Sequence, residues 1–208
     1  MKKININGYL EDIIERSDYP LERCRDILAK EVTAILGYGP QGSGQSLNMR
    51  DQGFNVILGL RKGSSWEKAL SDGWLIGENL FEIEEAVKRG TIIQFLLSDA
   101  GQIHAWQTVK ENLSPGNALY FSHGFGIVFN EQTKIEPPKD IDVILVAPKG
   151  SGLTVRTHFQ AGRGINSSFA VHQDYTGNAR DRCIATAFAI GSGHLFETTF
   201  EKEVHSDL

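Results

Sequence analysis

The stretch Gly37-Tyr38-Gly39-Pro40-Gln41-Gly42 constrains this chain more than any other. It follows the apolar run 32–36 and precedes a helix-compatible segment, 43–51. Strand, glycine turn and helix in that order are what a dinucleotide-binding loop needs. The first glycine permits a tight turn. The second removes a side chain where backbone must approach a pyrophosphate, and the third lets helix pack close to strand. The helix start then offers unpaired N–H groups and a partial positive charge to the phosphates. Pro40 has no N–H to give and can preset the turn. Tyr38, Gly39, Gln41 and Gly42 keep theirs.

Strand-like and helix-like segments alternate along the rest of the chain. Apolar runs predict strands at 32–36, 55–60, 91–97, 118–122, 143–146, 168–172 and 197–200. Helices are predicted at 43–51, 66–72, 79–89, 100–112, 153–160 and 178–191. Continuous apolar runs fit strands covered on both faces. The expected fold is therefore α/β, Rossmann-like and doubly wound, with a mainly parallel sheet and helices on both faces. Residues 1–30 read as a helical lead-in, with Leu21, Cys24, Ile27 and Leu28 on one face. Residues 31–208 read as the nucleotide-binding domain.

A net charge of −5 gives no reason to expect nucleic acid as a partner. No apolar run is long enough to span a membrane. Met1-Lys2-Lys3 leads into Ile4-Asn5-Ile6-Asn7, which is no secretory h-region. Cys24 and Cys183 lack metal or redox spacing and read as reduced thiols. Together these predict a cytoplasmic location.

The end of the second strand separates the two nicotinamide cofactors. Domains that prefer NAD usually carry Asp or Glu there, bonded to the ribose 2′-hydroxyl. Here Arg61 and Lys62 supply cations, and Ser64 and Ser65 supply hydroxyl donors. That set suits a 2′-phosphate and predicts NADPH over NADH. The plain alternative is a solvated basic turn. The turn 96–102 follows another strand and is expected near the adenosine or ribose side, with Asp99 and Gln102 as contacts. Asp99 could equally be a helix N-cap.

Polar groups also follow later strands: Ser122-His123-Gly124-Phe125, Ala147-Pro148-Lys149-Gly150-Ser151-Gly152 and the closing Glu203-Val204-His205-Ser206-Asp207-Leu208. These motifs stand in order with the glycine loop, Leu47-Asn48-Met49-Arg50-Asp51 and Gly59-Leu60-Arg61-Lys62-Gly63-Ser64. In that order the chain resembles the N-terminal domain of ketol-acid reductoisomerases, over essentially residues 30–208. The opening segment is similar to an extension found in some bacterial and fungal members.

The resemblance implies a reaction. The family converts 2-acetolactate or 2-aceto-2-hydroxybutyrate to 2,3-dihydroxy acids, in branched-chain amino-acid biosynthesis. Two Mg²⁺ ions assist the alkyl migration, and NADPH reduces the product. Matching motifs make His123 and Lys149 the catalytic pair, Gly152 a backbone contact to the cofactor and Asp207 the first Mg²⁺ carboxylate. The family's second metal carboxylate comes four residues after that aspartate. Its remaining ligands, substrate contacts and dimer interface belong to a C-terminal helical domain. The 208 residues alone are therefore expected to hold cofactor without turning over substrate. Two other readings stand beside this one. One is a binding module without catalysis, for which His123, Lys149 and Asp207 would have no use. The other is a different NADP-dependent hydroxy-acid dehydrogenase.

Overall fold

The structure is a computed structural model that describes residues 2–6 and 8–207; the side chains of Ile6, Tyr9 and Asp207 lie outside the described residues. In chain order the elements are β1 (Lys2–Ile6), β2 (Tyr9–Glu15), α1 (Leu21–Ile27), β3 (Thr33–Leu36), α2 (Pro40–Asp51), β4 (Val56–Gly59) and α3 (Ser64–Ser71). Next come β5 (Leu80–Phe81), α4 (Ile83–Arg89), β6 (Ile92–Phe95), α5 (Asp99–Asn112), β7 (Ala118–Phe121), α6 (Phe125–Val128) and α7 (Asn130–Thr133). The last are β8 (Asp142–Pro148), α8 (Gly152–Gln160), β9 (Ile165–Gln173), α9 (Ala179–Ala189), β10 (Ser192–Glu197) and α10 (Phe200–Asp207).

These strands form one sheet of ten, in the order β1-β2-β10-β9-β8-β7-β6-β3-β4-β5. The run from β5 to β8 is parallel. β9 is antiparallel to β8, and β10 is parallel to β9. Alternation along each strand divides its side chains between two cores. Ile35, Leu58, Ile92, Tyr120 and Ile144 pack with Met49 of α2, Trp66 of α3 and Ile184 of α9. Leu36, Ile57, Ile93, Leu119 and Val143 pack on the other face with Val87 of α4, Trp106 of α5 and Phe200 of α10. Both faces of the central strands are therefore dry. This is why those strands read as unbroken apolar runs rather than alternating ones. Each fully buried aliphatic side chain contributes roughly 1.5–3 kcal/mol.

Three expectations need correction. The lead-in is a β-hairpin followed by one short helix, α1. Its second strand, β2, pairs antiparallel with β10 and buries Ile13 and Ile14. Burial against that sheet edge selects the strand over the helix. The segment 79–89 splits into β5, which extends the parallel sheet beside β4, and α4. At the C-terminus the strand ends at Glu197, and Phe200 opens α10. The Thr199 hydroxyl accepts from the Lys202 amide there, and Phe200 and Val204, one turn apart, are both buried.

Candidate cofactor groove and active site

The strand order reverses between β3 and β6: β3 leads to β4 on one side, while β6 leads away on the other. Ligands of open α/β sheets bind beyond the strand C-termini at such a point. Two cavities lie there and share Leu96 and Leu97, which follow β6.

The first cavity, about 470 Å³, joins Gly37, Tyr38 and Gly39 to Arg61, Gly63, Ser64 and Ser65. Its glycine loop follows the motif's steric logic. Gly37 has φ +103°, and a Cβ on it would lie 2.7 Å from the Leu96 carbonyl oxygen. A Cβ on Gly42 would lie 2.1 Å from the Gly37 carbonyl oxygen. A Cβ on Gly39 would meet no atom within 4 Å, so this backbone is open to a ligand. α2 starts at Pro40, three residues earlier than expected, with Gly39 as an N-cap that makes no side-chain cap. Proline at the first helical position sacrifices only an N–H that the helix leaves unpaired anyway. The missing donor of Pro40 is thus no obstacle to an anion site.

A second helix start faces the same cavity. α3 begins at Ser64 behind Gly63, again without a side-chain cap. Arg61, Lys62 and Ser64 are exposed there. Lys62 approaches Glu82 at 3.8 Å, but both side chains are largely exposed, so this pair holds little. Two uncapped helix starts, a guanidinium and two hydroxyls are donors of the kind that could hold two separated phosphate groups.

The second cavity, about 550 Å³, is lined by Gln41, Asp99, Gln102, Ser122, His123, Lys149 and Glu203, among others. Asp99 and Gln102 line this cavity, and Ser98, from the same turn, lines the other. Ser98, not Asp99, caps α5, accepting from the Gly101 amide. Gln102 is buried and donates to the Phe95 and Leu97 carbonyls, holding the turn. His123 stacks on Phe125 with ring planes 7° apart. Lys149 Nζ donates to both oxygens of Glu203, at 2.7 and 2.8 Å. Glu203 is 4% exposed and also accepts from the Ser168 hydroxyl.

Glu203 belongs to the closing polar segment 203–208, from which only Asp207 was expected as a site residue. The available signal was its place beside buried Phe200 and Val204 on one helix face. A buried network ties the cavity to the glycine loop. Gln45 donates to Gln41 Oε1 at 3.0 Å and to Ser122 Oγ at 2.9 Å, and accepts from Tyr120 at 3.0 Å. Gln41 in turn donates to the Gly150 carbonyl at 3.0 Å. Burial raises the Tyr120 hydroxyl far above its ordinary pKa, so it stays a donor.

Gly152 stands at the start of α8, directly against the start of α2. A Cβ there would lie 1.8 Å from the Pro40 carbonyl oxygen, so this glycine permits helix contact. Tyr38 lines the groove, while the residue is buried and its hydroxyl is engaged by Asp72.

The residues fit a nicotinamide dinucleotide: a cradle that a Cβ on Gly39 would fill, and cationic and hydroxyl donors beyond it. Among the described residues they do not by themselves complete a Mg²⁺ site. Glu203 already serves Lys149 and Ser168, and among the described residues no group of three His, Cys, Asp or Glu could hold a metal ion. The Asp207 side chain lies outside the described residues.

Fold and groove thus define a dinucleotide-binding domain of Rossmann type. The profile of the acetohydroxy acid isomeroreductase NADPH-binding domain matches residues 27–195, and the chain belongs to that family, the ketol-acid reductoisomerases. It is 56% identical to the mitochondrial ketol-acid reductoisomerase of Neurospora crassa, across 100% of this chain and 52% of that protein. It is 57% identical to the ketol-acid reductoisomerase (NAD(+)) of Desulfosudis oleivorans, across 100% of this chain and 59% of that protein. A solved NADH-preferring ketol-acid reductoisomerase from an uncultured archaean superposes with a TM-score of 0.86 at 35% identity, covering 94% of this chain and 59% of that one. The chain spans about half the length of the curated relatives it matches. The expected cytoplasmic location is overturned, because the relatives from Neurospora crassa, Schizosaccharomyces pombe and Saccharomyces cerevisiae are named as mitochondrial.

Proposed function

We propose that this chain is the NADPH-holding part of a ketol-acid reductoisomerase. Its reaction would convert 2-acetolactate or 2-aceto-2-hydroxybutyrate to 2,3-dihydroxy acids in branched-chain amino-acid biosynthesis. The names of its fungal relatives point to the mitochondrion as its compartment. One observation carries the reading: two uncapped helix starts and Arg61 face one cavity, beside a second that holds His123 and Lys149.

Bound there, NADPH supplies hydride to a carbonyl. The backbone of residues 37–42 binds the pyrophosphate, and Arg61, Ser64 and Ser65 take the 2′-phosphate. Lys149, positioned by its two bonds to buried Glu203, would donate a hydrogen bond to substrate oxygen. His123 orders the hydrogen bonds around that oxygen. Dependence on Mg²⁺, with Asp207 as a ligand, rests on the resemblance alone, and no step here runs through it. Further carboxylates, the substrate contacts and the oligomer interface would come from the family's C-terminal helical domain, so this chain alone would bind cofactor without turnover.

The test is to supply that domain in trans and follow acetolactate-dependent NADPH oxidation. Turnover that disappears with His123→Ala is the expected result. A folded complex without activity would favour a binding module. A second reading, NADH as the cofactor, is favoured by the name of the Desulfosudis oleivorans relative. A lower dissociation constant for NADH than for NADPH would establish it.

A further inference from the structure

The Tyr38 side chain turns away from the groove into a polar cluster that cofactor binding does not explain. Its hydroxyl donates to Asp72 Oδ2 at 2.9 Å and accepts from the Trp74 indole N–H at 2.9 Å. Lys68 Nζ donates to the same Asp72 oxygen at 2.6 Å and lies 4.9 Å from the Tyr38 ring centre. Arg50 donates to the Asp72 carbonyl at 2.9 Å and stacks over Trp74.

The placement matters more than the number of bonds. Tyr38 belongs to the loop that enters α2, whereas Asp72 is the C-cap of α3. The opposite end of α3 carries Ser64 and Ser65 into the cavity. An eight-residue helix, about 12 Å long, therefore connects this cluster to the expected 2′-phosphate position. Its middle is pinned to the core by Trp66 and Ala69.

We propose that the Tyr38 hydroxyl and the Asp72 carboxylate form a latch that fixes the spacing between the two phosphate-binding helix starts, and so sets the preference for NADPH over NADH. NADPH must satisfy both helix starts at once, whereas NADH engages only the glycine loop. Loosening the spacing therefore weakens NADPH selectively, as loss of preorganisation does. Both residues are positioning residues. The latch is built to persist: burial raises the Tyr38 hydroxyl well above its ordinary pKa, and hydrogen bonds from Lys68 and Tyr38 outweigh burial to lower that of Asp72. It stays closed at neutral pH.

This inference rests on the NADPH reading, and one experiment separates the two. Dissociation constants for NADPH and NADH are measured by calorimetry at pH 8 on the unmodified chain, Tyr38→Phe, Asp72→Ala and the double variant. Thermal unfolding is followed alongside. Tyr38→Phe leaves the buried Trp74 N–H unpaired, so Asp72→Ala, at a half-buried position, provides an independent opening of the latch.

The expected result is that NADPH binding weakens roughly five- to tenfold in each variant, the loss of about one hydrogen bond's net contribution, while NADH binding changes less than about twofold. The double variant should be no worse than the more damaging single one. Variants that unfold cooperatively yet keep the unmodified NADPH-to-NADH ratio, or lose both cofactors equally, overturn the latch. An unmodified chain that binds both cofactors alike overturns the NADPH reading and the latch together.

Discussion

Replacing Gly39 with alanine should leave the fold intact and remove cofactor binding. Gly39 has φ −72° and ψ −168°, a conformation any residue adopts. A Cβ built there meets no heavy atom within 4 Å, so nothing in the protein must move. Stability should change by less than about 0.5 kcal/mol, or roughly 2 °C in the unfolding midpoint. The methyl group instead fills the face that the loop offers to the pyrophosphate. Losing two charge-assisted backbone bonds, at about 1.5–2 kcal/mol each, weakens NADPH binding roughly 100- to 1000-fold. Gly42→Ala should behave in the opposite way. Its Cβ would lie 2.1 Å from the Gly37 carbonyl oxygen, where ordinary contact begins near 3.4 Å. Backbone must give by more than an ångström, costing about 1–3 kcal/mol and several degrees. Calorimetric unfolding and NADPH titration on both variants check the pair. Near-normal NADPH affinity in Gly39→Ala, or a larger stability loss there than in Gly42→Ala, would refute the steric reasoning.

Arg182→Met should destabilise the protein by about 3–5 kcal/mol in denaturant unfolding, since Arg182 pairs with buried Asp142 at 2.8 Å and with Glu31 at 3.0 Å and removal strands the Asp142 charge; a loss below about 1 kcal/mol would contradict this. Alkaline stability should fall between about pH 9 and 12, because burial pushes the Cys183 thiol from 9.0 up to about 12. The unfolded chain releases that proton first, so the contribution is complete below the unfolded value and lost as pH rises toward the folded one. Cys183→Ala should flatten this part of the stability–pH profile.

The central strands were legible because each is buried on both faces and reads as an apolar block; Ile35 and Leu36 sit in opposite cores. The glycine loop was legible because each of its glycines answers a separate steric demand. The N-terminal segment holds two signals, the hairpin pair Asn7-Gly8 and the helical spacing of Leu21, Cys24, Ile27 and Leu28, and the helical one extends only over α1 and its cap. α10 was not legible because, among the described residues, its only buried apolar residues are Phe200 and Val204, one turn apart, and its third buried residue is the charged Glu203. Glu203 and the Tyr38–Asp72 contact were not legible for a deeper reason. They join residues far apart in sequence, Lys149 with Glu203 and the glycine loop with the end of α3, and no local pattern encodes such a meeting. The turn after β6 was legible as a strand-end turn, but not that it divides its residues between two cavities, with Asp99 and Gln102 in one and Ser98 in the other.

The most direct test of the cofactor groove is amide hydrogen exchange with saturating NADPH or NADH. Both cofactors should slow exchange across residues 37–42, where the α2 start is open, and only NADPH should also slow it at Ser64 and Ser65. Protection confined to other regions, or NADPH leaving Ser64 and Ser65 unchanged, would contradict the account.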